Sequence, residues 1–215
     1  MPPKIVRVRT ENNLFQHVEV LKRNRNSRHR SREFVVEGVR AISQASASRW
    51  TVRALVYAAE RPLSSWARET LADASRSVHV EVSPQLMEKL SEKEEASELI
   101  AVVAIPDDAL ERIRLGDDAL VMVFDRPTSP GNLGAIIRSC DALNADGLIV
   151  TGHGADLYEP QTVRASMGSL FALPTIRLAS HQEVGRWVEE VAAGRGRMQL
   201  VGGSGDADRA LDEVD

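Results

Sequence analysis

The residues best suited to chemistry lie in the segment 125–140, which reads DRPTSPGNLGAIIRSC. Proline and glycine here connect an apolar run to a helix, and loops held by rigid elements are common places for functional sites. Asn132 stands at the predicted helix start, where its side chain either caps the helix or faces a ligand. Arg138 projects away from the apolar side of this helix, and Gly134 leaves out a side chain where the guanidinium would lie. Such an arginine suits a phosphate or another anion, and the alternative is a solvated arginine that follows a structural Asn cap.

A second cluster of polar and small residues occurs in the segment 159–174, EPQTVRASMGSLFALP. Its members precede a predicted apolar strand, and they are Arg164, Ser166, Gly168 and Ser169. The cluster is either part of a site or an ordinary helix C-terminus. Composition alone does not separate these two alternatives.

A third feature is the basic run 22–32, KRNRNSRHRSR, which contains no acidic residue although the whole chain carries a net charge of −4. Its cations are Lys22, Arg23, Arg25, Arg28, Arg30 and Arg32. Basic clusters attract phosphates with an affinity that falls as salt rises, so the run predicts binding to nucleic acid. The alternatives are a solvated loop and a bare targeting-like run.

Other binding motifs are incomplete. The segment PTSPGNLG lacks the GK[ST] ending of a Walker loop, and TGHGADLY offers G-x-G without the third glycine of a dinucleotide fingerprint. The lone cysteine, Cys140, lies in the apolar stripe of its helix, where it is expected to be a small core residue. No metal site is predicted, because His153 is a lone loop residue and the other histidines are scattered: His17, His29, His79 and His181.

The elements that must position these residues alternate between strand and helix. In the first half, apolar patterns predict strands at 34–36, 52–57 and 78–82, with helices at 13–22, from 39, at 66–74 and from 84. Residues 99–105 form a further apolar run, and the helix from 84 extends either to Leu90 or to Leu99. In the second half they predict strands at 119–124, 147–150, 175–178 and 198–201, with helices from 133, at 161–166 and at 183–191. The continuous apolar run 119–124 predicts a parallel strand buried on both faces. The alternation indicates an α/β fold with functional loops at the carboxyl ends of its strands.

Residues 106–118 are polar and carry no strand signal, so they are predicted to link two domains, 1–105 and 119–215. The chain has 215 residues, of which 43% are hydrophobic and 27% charged, and this excludes a mainly disordered or collagen-like chain. No apolar run approaches the roughly 20 residues that span a bilayer, and the N-terminus lacks the apolar region of a secretory signal. We therefore expect a cytoplasmic protein without a membrane partner.

Three segments together resemble one family. PTSPGNLGAIIRSCDALNADGLIV resembles the first motif of the SpoU (TrmH-like) branch of SPOUT RNA methyltransferases, with its N-x-G-x-I-x-R core, and VRASMGSLFALP resembles the family segment that follows. LKRNRNSRHRSREFVVEGVRAI resembles the family's N-terminal RNA-binding domain, whose fold is like that of ribosomal RNA-binding proteins. The match covers nearly the whole chain and is strongest to the actinobacterial subgroup that methylates 23S rRNA ribose for antibiotic self-resistance.

The resemblance implies transfer of a methyl group from S-adenosylmethionine (AdoMet) to a ribose 2′-hydroxyl by a homodimer. It implies a parallel α/β catalytic domain ending in a trefoil knot, catalytic roles for Asn132 and Arg138, and RNA contacts by Arg164 and the basic run. The family's arginine is proposed as a base. Because a guanidinium is effectively always protonated, we expect Arg138 instead to stabilise the developing alkoxide or to grip the adjacent phosphate.

The sequence departs from the family at its C-terminal end. The family's later motifs, a G-N-E-x-x-G-L-S-like loop and an I-P-M…S-L-N-like loop, form the knot and most of the cofactor pocket, and neither occurs before Asp215. Of the cofactor loops, only Gly202, Gly203 and Ser204 after the predicted strand 198–201 are present. We therefore expect a chain truncated within its methyltransferase domain that binds AdoMet weakly or not at all. The alternatives are a non-catalytic RNA-binding protein and, on the G-x-G alone, a nucleotide-binding oxidoreductase.

Overall fold

The computed structural model describes residues 3–91, 95–196, 198–203, 206–208, 210 and 213, and it has the alternating strands and helices of an α/β protein. The strands are β1 (Lys4–Val8), β2 (Glu33–Glu37), β3 (Val52–Ala58), β4 (Val78–Val82), β5 (Leu99–Ala104), β6 (Val121–Asp125), β7 (Gly147–Thr151) and β8 (Thr175–Leu178). The helices are α1 (Asn13–Arg23), α2 (Arg25–Ser31), α3 (Val39–Ala47), α4 (Ser65–Asp73), α5 (Pro84–Leu90), α6 (Pro130–Ala142), α7 (Pro160–Ala165), α8 (Ser169–Ala172) and α9 (His181–Arg195).

The first part of the chain folds around a five-stranded sheet with the order β1-β4-β3-β5-β2. Strands β1, β4 and β3 are parallel, and β5 runs antiparallel to both β3 and β2. Alternate residues of β2 face opposite sides, as strand geometry requires. Val35 packs in one core with α1 and α5. Phe34 and Val36 pack in a second core, which contains α3 and buried residues from the second part of the chain.

The second part of the chain contains a parallel three-stranded sheet, β6-β7-β8. Every residue of the central strand β7 is buried. The prediction that the run 119–124 is buried on both faces is wrong, because β6 lies at the edge of the sheet among the described residues and leaves Leu120 and Met122 about half exposed. The predicted strand 198–201 is also wrong, since these residues are exposed or half-buried and belong to no strand. The trefoil knot stays a prediction.

The start of α6 differs from the expectation in two ways. Ser129 caps the helix by accepting a hydrogen bond from the Asn132 backbone N–H at 3.3 Å, so the Asn132 side chain is not the cap. Gly134 does not make room for Arg138. A Cβ at Gly134 would lie 2.5 Å from Ala165 Cβ and 2.8 Å from the Ser166 backbone nitrogen. Glycine is therefore required because α6 and α7 cross in close contact.

The two sheets share one hydrophobic core. Phe34 and Trp50 from the first part contact Tyr158 and Phe171 from the second, with ring centroids 4.9 Å apart for Phe34–Tyr158 and 5.1 Å apart for Trp50–Phe171. Trp50 Nε1 also donates a hydrogen bond to the Phe171 carbonyl at 3.0 Å. The predicted linker contributes Ile113, which is buried against the second sheet. The two parts are packed against each other and are not joined by a free tether.

The basic run does not form a loop, because most of it folds into α2 after Asn24 caps that helix. Arg28 on α2 is only 3% exposed, and its Nε and Nη2 lie 2.8 and 2.7 Å from Asp156 Oδ2 in the second part of the chain. Arg28 Nη1 donates to the Leu21 carbonyl at 2.8 Å. The prediction that Arg28 contacts RNA is wrong, because burial and these partners withdraw its guanidinium from solvent.

A second ion pair extends this bridge. Arg177 on β8 pairs with Asp108 at 2.6 Å, and its Nη1 donates to His29 Nδ1 at 3.0 Å. His29 Nε2 lies 3.4 Å from Asp156 Oδ1. Burial, with Arg177 as the next cause, lowers the pKa of His29, which agrees with a neutral ring that accepts from Arg177. Charged side chains therefore bridge α2, the connecting segment and the second sheet.

The close crossing of α6 and α7 can be tested at Gly134. Gly134→Ala is expected to lower the free energy of unfolding by about 1–3 kcal/mol, because an added methyl group in a packed contact forces the helices apart. Gly131→Ala in the same helix is the control, since a Cβ there meets only Ser129 Oγ at 3.7 Å. Urea unfolding measures both, and equal stability of the two variants would contradict the close contact.

The Arg28–Asp156 bridge makes a separate prediction. Arg28→Met is expected to destabilise the protein by about 3–5 kcal/mol, because it leaves a buried carboxylate without its partner. The double variant Arg28→Met/Asp156→Asn is expected to recover part of this loss. Arg23→Met is the control, since its pair with Glu19 is exposed and such pairs contribute about 1 kcal/mol or less. A loss no larger for Arg28→Met than for this control would show that the bridge does not hold the two parts together.

Candidate functional site

Helix α6 starts just beyond the carboxyl end of β6 and carries both predicted catalytic residues. Asn132 and Arg138 are exposed, while Leu133 and Ile137 between them are fully buried. The two residues are six positions apart, which is about 9 Å along the helix axis at 1.5 Å per residue. Helical side chains lean toward the helix N-terminus, so Arg138 leans toward the end where Asn132 lies. Within the described part of the chain neither side chain has a hydrogen-bond partner, which leaves both available to a ligand.

The carboxyl edge of the second sheet contributes a polar group that sequence reasoning missed. Thr151 Oγ1 at the end of β7 donates a hydrogen bond to Asp125 Oδ1 at the end of β6, at 2.7 Å. Arg126 Nε donates to Asp125 Oδ2 at 2.8 Å. The hydrogen bond from Thr151, followed by that from Arg126, lowers the pKa of Asp125 and keeps its carboxylate charged. The available signal was position, because Asp125 directly follows the apolar run 119–124 and Thr151 directly follows the apolar run 147–150.

The two glycines of the G-x-G after β7 shape this edge of the sheet. Gly152 has a φ of +69°, and a Cβ there would lie 2.6 Å from Arg126 Cγ. A Cβ at Gly154 would lie 2.3 Å from the Pro127 carbonyl oxygen. Both glycines are thus needed for the loop after β7 to lie directly against the loop after β6. This contact fixes the path of the chain into α6 and therefore the position of Asn132.

The remaining cations of the basic run lie near the surface beside the second part of the chain. Arg23 and Arg32 are exposed and pair with Glu19 at 3.3 Å and with Asp107 at 2.6 Å. Arg25 Nη1 donates to the Gly154 carbonyl at 2.7 Å, which places α2 next to the loop after β7. Lys22 donates to the Leu90 carbonyl, and Arg30 is exposed with no ion pair to any residue that the structure describes.

Arg164 is exposed at the C-terminal end of α7, and α7 packs on α6. The structure therefore brings Asn132, Arg138 and Arg164 onto two contacting helices, with Arg25 beside the loop that precedes α7. It does not bring the predicted cofactor residues into a pocket. Gly202 and Gly203 are exposed, and a Cβ on either would meet nothing within 4 Å. Ser204 lies outside the described residues. As described, this glycine loop does not by itself fit a bound AdoMet.

The described residues contain no group of three or more histidine, cysteine, aspartate or glutamate side chains placed to hold a metal ion. None of their helices is both long enough and apolar enough to cross a membrane. Cys140 is buried in the shared core as predicted, and burial raises the pKa of its thiol.

Comparison with known proteins agrees with this geometry. The sequence pattern of the SpoU L30e-like domain matches residues 12–101, and that of the SpoU rRNA Methylase family matches residues 119–210. The chain is 50% identical over 201 residues to the 23S rRNA (uridine(2479)-2′-O)-methyltransferase of Streptomyces viridochromogenes. That alignment covers 93% of this chain and 70% of the relative.

Solved structures give the same result. The SpoU methyltransferase AviRb from Streptomyces viridochromogenes in complex with AdoMet matches with a TM-score of 0.80 and 51% identity, covering 85% of this chain and 69% of that one. The AdoMet-bound rRNA methyltransferase from Sinorhizobium meliloti matches with a TM-score of 0.75 and 27% identity, covering 85% of this chain and 68% of that one. The chain belongs to the SpoU family of rRNA methylases, enzymes that transfer a methyl group from AdoMet to a ribose 2′-hydroxyl of RNA.

Proposed function

We propose that this protein methylates a ribose 2′-hydroxyl of 23S rRNA, with residues 1–105 binding the RNA, 106–118 connecting the two domains and 119–215 carrying the methyl-transfer groups. The observation that carries the proposal is the exposure of Asn132 and Arg138 on α6, without described partners, at the carboxyl edge of a parallel sheet. The 23S rRNA substrate is proposed from the printed activity of the Streptomyces relative.

The reaction requires alignment of a hydroxyl oxygen with an electrophilic methyl group, and AdoMet supplies that methyl group in this family. The protein side must orient the ribose and stabilise the charge that develops on its oxygen. The Asn132 amide both donates and accepts hydrogen bonds, so it suits a ribose hydroxyl. The Arg138 guanidinium stays protonated, so it suits the developing alkoxide or the adjacent phosphate and not the role of a base.

RNA binding is proposed for the exposed cations of the basic run and for Arg164. Arg23 pairs with the half-buried Glu19, and Arg32 pairs with the exposed Asp107 and donates to the Ile105 carbonyl at 3.1 Å. Both arginines lie at the surface, where ion pairs are weak enough to exchange for a phosphate. Arg25 and Arg30 extend the same positive surface along α2 toward the second sheet. Phosphate contacts of this kind position an RNA without reading its sequence, so they suit the task of delivering one ribose to α6.

We further propose a homodimer that acts in the cytoplasm and confers antibiotic resistance by methylating the ribosome. Both the antibiotic resistance and the homodimer are inferred from the family resemblance. Exposed apolar side chains support association with a second copy, because burying apolar surface between two copies removes it from water. These side chains are Leu120, Met122 and Leu143.

Methyl transfer to in vitro transcribed 23S rRNA tests the proposal directly, using tritiated AdoMet and mapping the modified ribose by its resistance to alkaline cleavage. Incorporation at one ribose would support the proposal, and it would contradict the expectation from the missing later motifs that the chain binds AdoMet weakly or not at all. RNA binding without any incorporation would favour the alternative of a non-catalytic RNA-binding protein, for which the open loop at Gly202 and Gly203 is the supporting observation.

Arg138→Ala is expected to reduce the rate of methyl transfer on the order of 10²–10³-fold, as for the loss of one preorganised electrostatic group. The free energy of unfolding should stay unchanged, because the side chain is exposed and leaves no cavity. Arg186→Ala is the matched control, since Arg186 is also an exposed helical arginine on α9. A rate within threefold of wild type would identify Arg138 as an ordinary surface arginine.

The basic surface makes a prediction about salt. Replacing Arg25 and Arg30 together by alanine is expected to flatten the slope of log K against log[salt] by about 2, because each phosphate contact contributes about 0.9. Arg53→Ala is the control, because Arg53 is an exposed arginine on β3, distant in sequence from the basic run. Filter binding of 23S rRNA fragments between low and moderate salt measures the slope, and an unchanged slope in the double variant would exclude these residues from the interface.

A further inference from the structure

A cavity of about 220 Å³ opens where the two domains meet, and neither Asn132 nor Arg138 lines it. One wall is the start of α3, with Val39 and Arg40. The facing wall is the end of α7, with Arg164, and the turn after it, with Met167. Val163, which is 3% exposed, forms part of the floor. The cavity therefore combines apolar surface and cations contributed by both parts of the chain.

The backbone holds the two walls at a short distance. Gly168 has a φ of +98°, and a Cβ there would lie 3.3 Å from Gln44 Cβ on α3, so glycine allows the turn after α7 to approach this helix. Met167 beside it has a φ of +53°, in the left-handed region that non-glycine residues rarely adopt. Its side chain is nevertheless 44% exposed at the cavity. Strained residues with exposed side chains are typical of places where a ligand is held.

The charges at the cavity favour an anionic ligand with a flat apolar part. Lys22, Arg40 and Arg164 contribute three cations, and Arg40 has no ion-pair partner among the residues that the structure describes. Glu37 also lines the cavity, but its Oε1 already accepts hydrogen bonds from the hydroxyls of Ser91 and Ser97. A nucleotide has the complementary chemistry, because its base stacks on apolar or guanidinium surfaces and its phosphate pairs with cations.

We propose that this cavity binds one unstacked nucleotide of the RNA substrate, with its base between Val39 and Met167 and an adjoining phosphate against Arg40 and Arg164. The inference rests on the proposed function, in that the substrate is RNA, and it adds a second contact whose residues do not include Asn132 or Arg138. A base held in a stacked duplex does not reach the cavity, so the site selects RNA with an unpaired nucleotide. Because both domains form the walls, the nucleotide also fixes the RNA relative to α6.

The test compares two five-unit oligomers of stable abasic sugar–phosphate spacers, one of which carries a single central uracil base. The two oligomers carry equal charge, so any difference in their affinity for the 215-residue protein is due to the uracil base. The base is expected to increase affinity roughly 5- to 150-fold, which is the range for one stacked base. With ¹³C-labelled methionine methyl groups, the resonance of Met167 should shift, while those of buried Met87 and of Met122 on β6 should not.

The variant Val39→Asp is designed to prevent the base from binding in the cavity. The change places a carboxylate in the cavity mouth at the first turn of α3, where an acidic residue favours the helix, so folding is expected to persist. The variant should bind the two oligomers with equal affinity. Val20→Asp is the control, since Val20 is another exposed helical valine, on α1, that does not line the cavity. Met167→Gly is a second variant, which removes the side chain and relieves the left-handed backbone, and it should also abolish the preference for the base.

Equal affinity of wild-type protein for the two oligomers would overturn the inference, as would an unshifted Met167 resonance. Retention of the base preference in Val39→Asp would overturn it as well. The proposed function fails separately. Methyl transfer to 23S rRNA with no base preference would support the proposed activity and reject the nucleotide site in the cavity. A base preference without methyl transfer would support the nucleotide site and reject the proposed activity.

Discussion

The arrangement of this protein depends on the buried ion pair between Arg28 and Asp156. Both side chains are at most 4% exposed, so removing their charges from water has a large free-energy cost. This cost is offset only when the two charges are well oriented toward each other and make further hydrogen bonds. Here the guanidinium also donates to the Leu21 carbonyl, and the carboxylate also accepts from the Tyr158 backbone N–H at 3.2 Å. The pair therefore favours one orientation of the two domains more strongly than apolar contacts alone, since apolar contacts are non-directional.

This fixed orientation determines which cations can serve RNA. Arg28 and Arg30 lie two positions apart on α2, so they point to different sides of a helix, and only Arg28 faces the second domain. Arg28 consequently becomes a structural residue and Arg30 stays at the surface. The same orientation places the start of α3 opposite the end of α7 and creates the cavity between them. The packing of one domain against the other thus forms both the Arg28–Asp156 ion pair and the cavity proposed to contact RNA.

The catalytic edge is built by close backbone contacts that small residues permit. Gly152 and Gly154 let the loop after β7 lie on the loop after β6, and Gly134 lets α6 lie on α7. Each contact removes freedom from the segment that carries Asn132. Because a misplaced group loses much of its effect on a reaction, rigid support of α6 matters as much as the identity of its polar residues. Gly134 of the first motif is accordingly structural, as are Gly152 and Gly154 after the motif, whereas Asn132 and Arg138 are the groups available to a substrate.

Periodicity in the sequence was enough to predict most strands and helices, because a half-buried element repeats its apolar residues at the period of its own geometry. It predicted α6 and the exposure of Arg138, and the motif around Asn132 and Arg138 indicated the family. Periodicity did not predict α2, whose seven residues contain almost no apolar side chain and which is held by the Asn24 cap and by Arg28. Nor could it separate Arg28 from its neighbours, place Asp125 against Thr151, or show that β6 is an edge strand. Those outcomes depend on residues distant in the sequence, and only the packed tertiary structure brings their charges and backbones together.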